Sequence, residues 1–152
     1  MFSQITSKNI QLSELNSSIK ASINYANKLQ HSVLPTYGAF DEVFSSNFAY
    51  LNQKDTVGGD FYWAREYEDG VKMMACVDCT GHGIPGAFMT MLSRVLLREA
   101  ATIKGLRCPS EILMQMDKAV RRVLVQYDYE AMQDGMDMTI CVVDPKNNNI
   151  SF

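Results

Sequence analysis

Two carboxylates stand at glycine-bearing ends of apolar, strand-like runs: Asp60 in Val57-Gly58-Gly59-Asp60-Phe61-Tyr62-Trp63, and Asp78 in Val77-Asp78-Cys79-Thr80-Gly81-His82-Gly83. Between the runs lies Glu68-Asp69-Gly70, which suits a three-residue hairpin loop with glycine in the left-handed position ahead of a bulge. Pairing around that loop sets Tyr67 against Val71, Glu66 against Lys72, Ala64 against Met74, Tyr62 against Cys76 and Asp60 against Asp78. Side chains directly across an antiparallel pair share a face, with β-carbons roughly 5 Å apart. The register therefore brings two like charges together, and the opposite charges of Glu66 and Lys72 favour it. A two-residue Asp69-Gly70 turn would put the two aspartates on opposite faces.

Adjacent carboxylates repel unless one keeps a proton or a cation lies between them. Oxygen donors with no histidine or thiolate on the same face suit a hard ion such as Mg2+ or Mn2+. Two such ions about 4 Å apart hold and acidify a water for attack on a phosphoryl group. Aspartate beside glycine also commonly ends strands and caps loops. Spacing alone does not separate the two readings.

The stretches Gly58-Gly59-Asp60-Phe61-Tyr62 and Asp78-Cys79-Thr80-Gly81-His82-Gly83-Ile84-Pro85-Gly86-Ala87 resemble the first two signature blocks of the metal-dependent protein phosphatases of PPM type, in the bacterial SpoIIE-like branch. Ser22-Ile23-Asn24-Tyr25-Ala26 through Leu29-Gln30 to Leu34-Pro35 resembles the helix that leads into such domains, and Asp134-Gly135-Met136-Asp137-Met138-Thr139 resembles a central strand. The resemblance implies a serine/threonine phosphatase that removes phosphate from a protein by direct attack of metal-bound water. It implies Asp60 and Asp78 as metal ligands, the main-chain carbonyl of Cys79 as a further ligand, and Mn2+ or Mg2+ as cofactor, with two ions in a complete domain. A phosphorylated regulatory protein, such as an anti-anti-sigma-type partner, is the implied substrate.

In the family, aspartates of a Thr-Asp-Gly block and a terminal Asp-Asp/Asn-x-Thr block complete the metal site. Neither has a clear copy before Phe152. Asp137-Met138-Thr139 superficially resembles the terminal block, but Ile140-Cys141-Val142-Val143-Asp144-Pro145 and a turn-rich Lys146-Asn147-Asn148-Asn149 follow it, so it reads as the middle strand. The chain reads as the front part of such a domain. A non-catalytic signalling or dimerisation module that keeps the fold is the alternative. A nucleotide cyclase of the GGDEF type would need a glutamate between Asp60 and Phe61, where there is none.

His82, between two glycines, is a candidate general acid for the leaving serine oxygen, or a ligand. Flanking glycines speak more strongly for a contorted backbone, with the histidine capping the loop or a helix beginning near Pro85. His31 is expected on a helix surface, and Asp137 is read as simply beginning a strand.

Composition narrows the class. With 47% apolar and 20% charged residues, the 152-residue chain is ordinary globular protein. Fourteen basic against seventeen acidic residues, net −3 and without a Lys/Arg cluster, argue against nucleic acid as main partner. No apolar run is long enough for a membrane span, and Met1-Phe2-Ser3-Gln4 does not start a signal peptide. Cytoplasmic location is expected. The four cysteines fit a reducing compartment; Cys76 and Cys79 have C-x-x-C spacing, but a strand there aims them to opposite faces, which disfavours zinc or redox use.

Longer elements must position the aspartates. Ile5, Lys8, Leu12, Leu15, Ile19, Ser22, Ala26, Leu29 and Val33 follow the alternating three- and four-residue steps of a coiled-coil seam, and Leu34-Pro35 with Gly38 should stop that helix. We expect a parallel helix that joins the domain to an upstream sensor and makes a homodimer; its start at Met1 suggests that the upstream part is missing. The competing reading is an amphipathic helix packed on its own domain. After Gly83 the period becomes helical: Phe88, Met91, Leu92, Val95, Leu96 and Glu99 mark a stripe running to about Lys104-Gly105. A further helix from Pro109-Ser110-Glu111 should bury Ile112, Leu113, Met116, Val120, Val123 and Leu124, with Arg121-Arg122 on a solvated face. The expected fold is α/β (α+β) with mainly antiparallel strands: a helix-flanked β-sandwich portion preceded by a long helix. Residues 1–35 form a helical, coiled-coil linker, and 36–152 the N-terminal part of the SpoIIE-like domain.

Overall fold

The computed structural model describes residues 2–34, 40–125 and 134–152. Pro35 and Gly38, the expected helix stop and the boundary beside it, lie outside them. The element order is α1 (Phe2–Val33), β1 (Asp60–Glu66), β2 (Lys72–Cys79), α2 (Gly83–Arg98) continued by a π-helical turn (Glu99–Ile103), α3 (Pro109–Val125), β3 (Met136–Asp144) and β4 (Asn149–Ser151). The strands form one antiparallel sheet in the order β1-β2-β3-β4. The expected α+β class with a long N-terminal helix is what forms, and the segment expected as a middle strand is β3, inside the sheet.

The hairpin follows from its loop. Gly70 has φ +83°, the left-handed conformation that costs glycine least. Tyr67 N–H donates to Val71 O at 2.9 Å, Gly70 N–H donates to Tyr67 O at 2.8 Å, and the Asp69 carboxylate accepts from Val71 N–H at 3.1 Å. The register is the expected one in every pair: Glu66 with Lys72, Ala64 with Met74, Tyr62 with Cys76, and Asp60 with Asp78.

Alternation gives the sheet two faces. Phe61, Trp63, Met73, Ala75, Val77, Cys79, Ile140 and Val142 are buried under α2 and α3 in one core. The other face carries Tyr62, Met74, Cys76 and the aspartates; there Phe40 meets Tyr62 edge-on at 5.1 Å, and Lys72 donates to Val43 O at 2.5 Å. Cys76 is exposed and Cys79 buried, on opposite faces as expected.

The α2 stripe requires correction. Phe88 is 69% and Val95 58% exposed, whereas Met89, Thr90, Ser93 and Leu97 are buried. Two hydroxyl residues occupy the inward face because each has partners there: Thr90 bonds peptide carbonyls of the β1 approach, and Ser93 bonds Met89 O at 2.7 Å and lies 3.4 Å from the Cys79 thiol. The helix runs as far as expected, but its last turn widens. Lys104 N–H reaches Glu99 O at 2.9 Å, and Ala101 O accepts from the Tyr67 hydroxyl and the Arg107 guanidinium, at 3.2 and 3.1 Å. Gly105, at φ +67°, ends it. In α3, Ile112, Met116 and Val120 are buried, while Leu113 and Val123 lie at its edge, 38% and 36% exposed. Arg121 is exposed and paired with Asp117 at 2.8 Å.

Along α1, Ile5, Leu12, Leu15 and Ile19 are exposed, and the helix meets α2 only near its C-terminal end. His31 is exposed there, as expected. Among the described residues no helix is long and apolar enough to cross a membrane.

The corrected α2 face makes a direct prediction. Leu97→Ala, at a fully buried position, should cost about 2–5 kcal/mol of stability, whereas Val95→Ala should change it by no more than about 0.5 kcal/mol. Urea unfolding of both variants checks this; equal losses would mean that the expected stripe is the buried one.

Candidate metal centre

Asp60 is the first residue of β1 and Asp78 the last but one of β2, and the ladder makes them direct partners. What brings the strand end to this position is a clamp on the two glycines before it. Gly58 O accepts from the Gln30 side-chain amide at 2.7 Å and from the Thr90 hydroxyl at 3.0 Å; Gly58 N–H donates to Gln30 Oε1 at 3.3 Å. Gly59 O accepts from Thr90 at 2.7 Å and from Cys79 N–H at 3.3 Å. Gln30 and Thr90 are almost wholly buried. Their polar groups are tolerated because each is satisfied, and through them α1 and α2 grip the same peptide pair.

Glycine is required at 59 by close approach. A β-carbon there would lie 2.6 Å from Cys79 O and 2.9 Å from Gly81 O. One at Gly86, in the first turn of α2, would lie 2.6 Å from Gly81 O. The turn after β2 thus folds backbone-to-backbone into a cradle beside Asp60. Its other side is fixed by Thr80: Thr80 N–H donates to Gly135 O at 3.0 Å, and the Thr80 hydroxyl donates to Asp134 at 3.1 Å and accepts from Gly135 N–H at 2.9 Å.

The electrostatics follow from this packing. Partial burial first, then a hydrogen bond shared with Asp78 and the Asp78 charge, hold the Asp60 carboxyl above its ordinary value of 3.8. Burial likewise raises the Cys79 thiol, against hydrogen bonds from Ser93 and Thr90 that lower it. The thiol points to the core, so Cys79 can offer the cradle only its carbonyl.

His82 occupies the N-cap position of α2, which begins at Gly83 rather than near Pro85, but its side chain makes no capping hydrogen bond. Of the two expected capping roles, loop or helix, the helix cap does not form. Its Nδ1 instead lies 2.7 Å from Asp55 Oδ2, in a contact open to solvent. A cleft of about 440 Å3 joins Asp78, Cys79, Thr80, Gly81 and His82 to Met136 and Asp137. A second of about 680 Å3 opens beside it, with Phe40, Phe48, Tyr50, Tyr62 and Met74 around Asp60, Asp78 and Asp137.

The donors fit a hard divalent ion in kind: two facing carboxylates and a carbonyl in a glycine cradle, all oxygen. They do not close a full site. Among the described residues no group of three or more His, Cys, Asp and Glu converges to hold an ion. Gln30, Asp55 and Thr90 were not legible as site residues. Asp137 begins its strand nearly as expected, as the second residue of β3, but it also pairs with Asp78.

Residues 68–152 match the model of the family of stage II sporulation protein E (SpoIIE), and the chain belongs to that family, a SpoIIE-like branch of the PPM-type phosphatases. The SiaA-PP2C domain of Pseudomonas aeruginosa has a similar structure, with a TM-score of 0.74 and 36% identity over 86% of this chain and 50% of that one. The chain thus spans half the length of that structure. No curated protein matches it significantly.

The raised Asp60 carboxyl sets a pH dependence. In the window above 3.8 the folded chain binds more protons than the unfolded one, so metal-free stability falls as pH rises through the raised value. Asp60→Asn should remove this loss and raise the metal-free melting temperature at neutral pH by roughly 2–4 °C, since like charges across a strand pair cost up to about 1 kcal/mol. The difference should vanish on acidification through the carboxylate range. Thermal scans from about pH 3 to about pH 8, which span the carboxylate range, check the sign; an Asn variant that is less stable at neutral pH contradicts it.

Proposed function

We propose that this chain carries part of the catalytic centre of a metal-dependent phosphatase acting on phosphoserine or phosphothreonine in a regulatory protein. The observation that carries the reading is the Asp60–Asp78 pair beside the Cys79 carbonyl, in a chain of the SpoIIE family. Asp60, Asp78 and the Cys79 carbonyl would hold the Mn2+ or Mg2+ ions that the family's chemistry uses. Bound there, such ions supply acidified water and neutralise charge on the phosphoryl group.

The chain's own residues have separate tasks. The Gln30 and Thr90 clamp fixes the Asp60 backbone, and the Thr80–Gly135 contacts fix the turn that bears Asp78. Asp55 orients the His82 ring by accepting from Nδ1, which leaves Nε2 to meet the leaving serine oxygen. The cleft lined by Phe48, Tyr50 and Tyr62 offers apolar walls to a protein substrate beside the carboxylates.

The coupling of residues 1–35 to the domain at 36–152 belongs to the same reading. The exposed seam of Ile5, Leu12, Leu15 and Ile19 suits pairing with a second copy of the helix, and Gln30 joins that helix to the site. An upstream sensor domain would act along it, in a cytoplasmic protein whose cysteines stay reduced. The second reading, a non-catalytic signalling module, is favoured by the lack of a converged three-donor group among the described residues.

Phosphate release from a phosphoserine protein, measured against Mn2+ concentration, separates the two. The 152-residue chain should bind Mn2+ weakly and turn over little, because a hard ion wants about six oxygens. In a chain extended to a complete domain, Asp78→Asn should abolish turnover, and His82→Ala should lower it by at most about a hundredfold. An Asp78→Asn variant with wild-type activity at low Mn2+ would overturn the roles assigned; inactivity of the extended wild-type chain at every Mn2+ concentration would favour the non-catalytic module.

A further inference from the structure

The acidic row is one residue wider than the hairpin alone makes it. β2 lies between β1 and β3, and the two ladders set Asp60 opposite Asp78 and Asp78 opposite Asp137. Directly paired residues share a face, so all three carboxylates stand in one line across the sheet, on the side away from the helices. Asp137 is exposed, and both clefts that meet at Asp78 are lined by it. Its position is fixed two residues upstream, where Gly135 is held to Thr80 by the main chain and through the hydroxyl.

A strand start does not need an aspartate. Here one adds a third like charge to a row that already sets Asp60 against Asp78, and opposed like charges destabilise a strand pair. A cation at the row offsets that cost. The three side chains do not converge on a point, so one ion in contact with all of them is not the arrangement. Hard ions bound through one or two carboxylates keep several waters, and those waters need acceptors. We propose that Asp137 is a third cation-binding carboxylate of this site, accepting hydrogen bonds from the hydration water of a divalent ion held at Asp60 and Asp78. The inference rests on the metal-centre reading above and adds to it a residue that acts through water.

The test is Mn2+ binding to the 152-residue chain, followed by loss of the free-ion electron paramagnetic resonance signal, with unfolding curves for each variant. Asp137→Asn should weaken Mn2+ binding roughly tenfold or more, the cost of losing an outer-shell partner. Asp137→Glu, which keeps the charge, should stay near wild type and decides the matter if the Asn variant disturbs the strand. Asp117→Asn is the control for general charge, since Asp117 lines a neighbouring hollow with Asp137 but pairs with Arg121; it should bind as wild type. Wild-type affinity in Asp137→Asn, a loss as large in Asp137→Glu, or an equal loss in Asp117→Asn overturns the role of Asp137 alone. Failure of the wild-type chain to bind Mn2+ saturably overturns the metal centre itself, and this inference with it.

Discussion

Two buried peptide carbonyls, those of Gly58 and Gly59, hold the functional end of this fold together. They belong to a loop, and a buried loop carbonyl without a partner costs about 1–3 kcal/mol. Here the Gln30 amide, the Thr90 hydroxyl and Cys79 N–H satisfy them, and each comes from a different element. The long helix, the helix after the hairpin and the second strand are therefore all registered on the same two residues, directly before Asp60. Movement of any one of them strains hydrogen bonds buried away from solvent.

On that frame the aspartates are placed against their own electrostatic preference. The ladder fixes Asp60 and Asp78 face to face, and the glycines at 59 and 86 let the turn after β2 close in until carbonyls stand where β-carbons would be. A fold with no use for the arrangement would gain stability from an amide at either position. The repulsion fits the proposed metal centre, in which a bound cation would turn the opposed carboxylates into ligands. The same logic assigns Cys79 its part: burial keeps its thiol protonated and turned to the core, while its carbonyl faces the cradle.

Local chemistry was legible in the sequence, and long-range pairing was not. The Glu68-Asp69-Gly70 loop determines the β1–β2 register because a tight turn leaves a single alignment, and Asp60 fell opposite Asp78 as that turn requires. β2 and β3 are joined through two helices, so no turn geometry links Asp78 to Asp137, and their pairing appears only in three dimensions. The α2 stripe misled for a related reason: Thr90 and Ser93 look polar but face inward, Thr90 satisfied by the distant carbonyls of Gly58 and Gly59, and Ser93 by Met89 O of its own helix beside the Cys79 thiol. Gln30 was legible only as part of the helix that resembles the family's lead-in, and nothing in the sequence marked it as the clamp on Gly58. His82 was legible as a residue in a contorted turn, but its contact with Asp55 depends on a loop whose path the pattern does not fix.

The central claim is that the β1–β2 register makes a cation site at the Asp60 end of the sheet. Paramagnetic broadening of amide resonances in a 15N-labelled chain titrated with Mn2+ tests it most directly, because the effect reports distance from the ion. The account predicts that the amides of Gly59, Asp60, Asp78, Thr80 and Gly81 broaden first, while those of Glu66, Glu68 and Asp69, at the opposite acidic end of the hairpin, persist. Broadening centred on Glu66, Glu68 and Asp69, or spread evenly over the acidic surface, would contradict it.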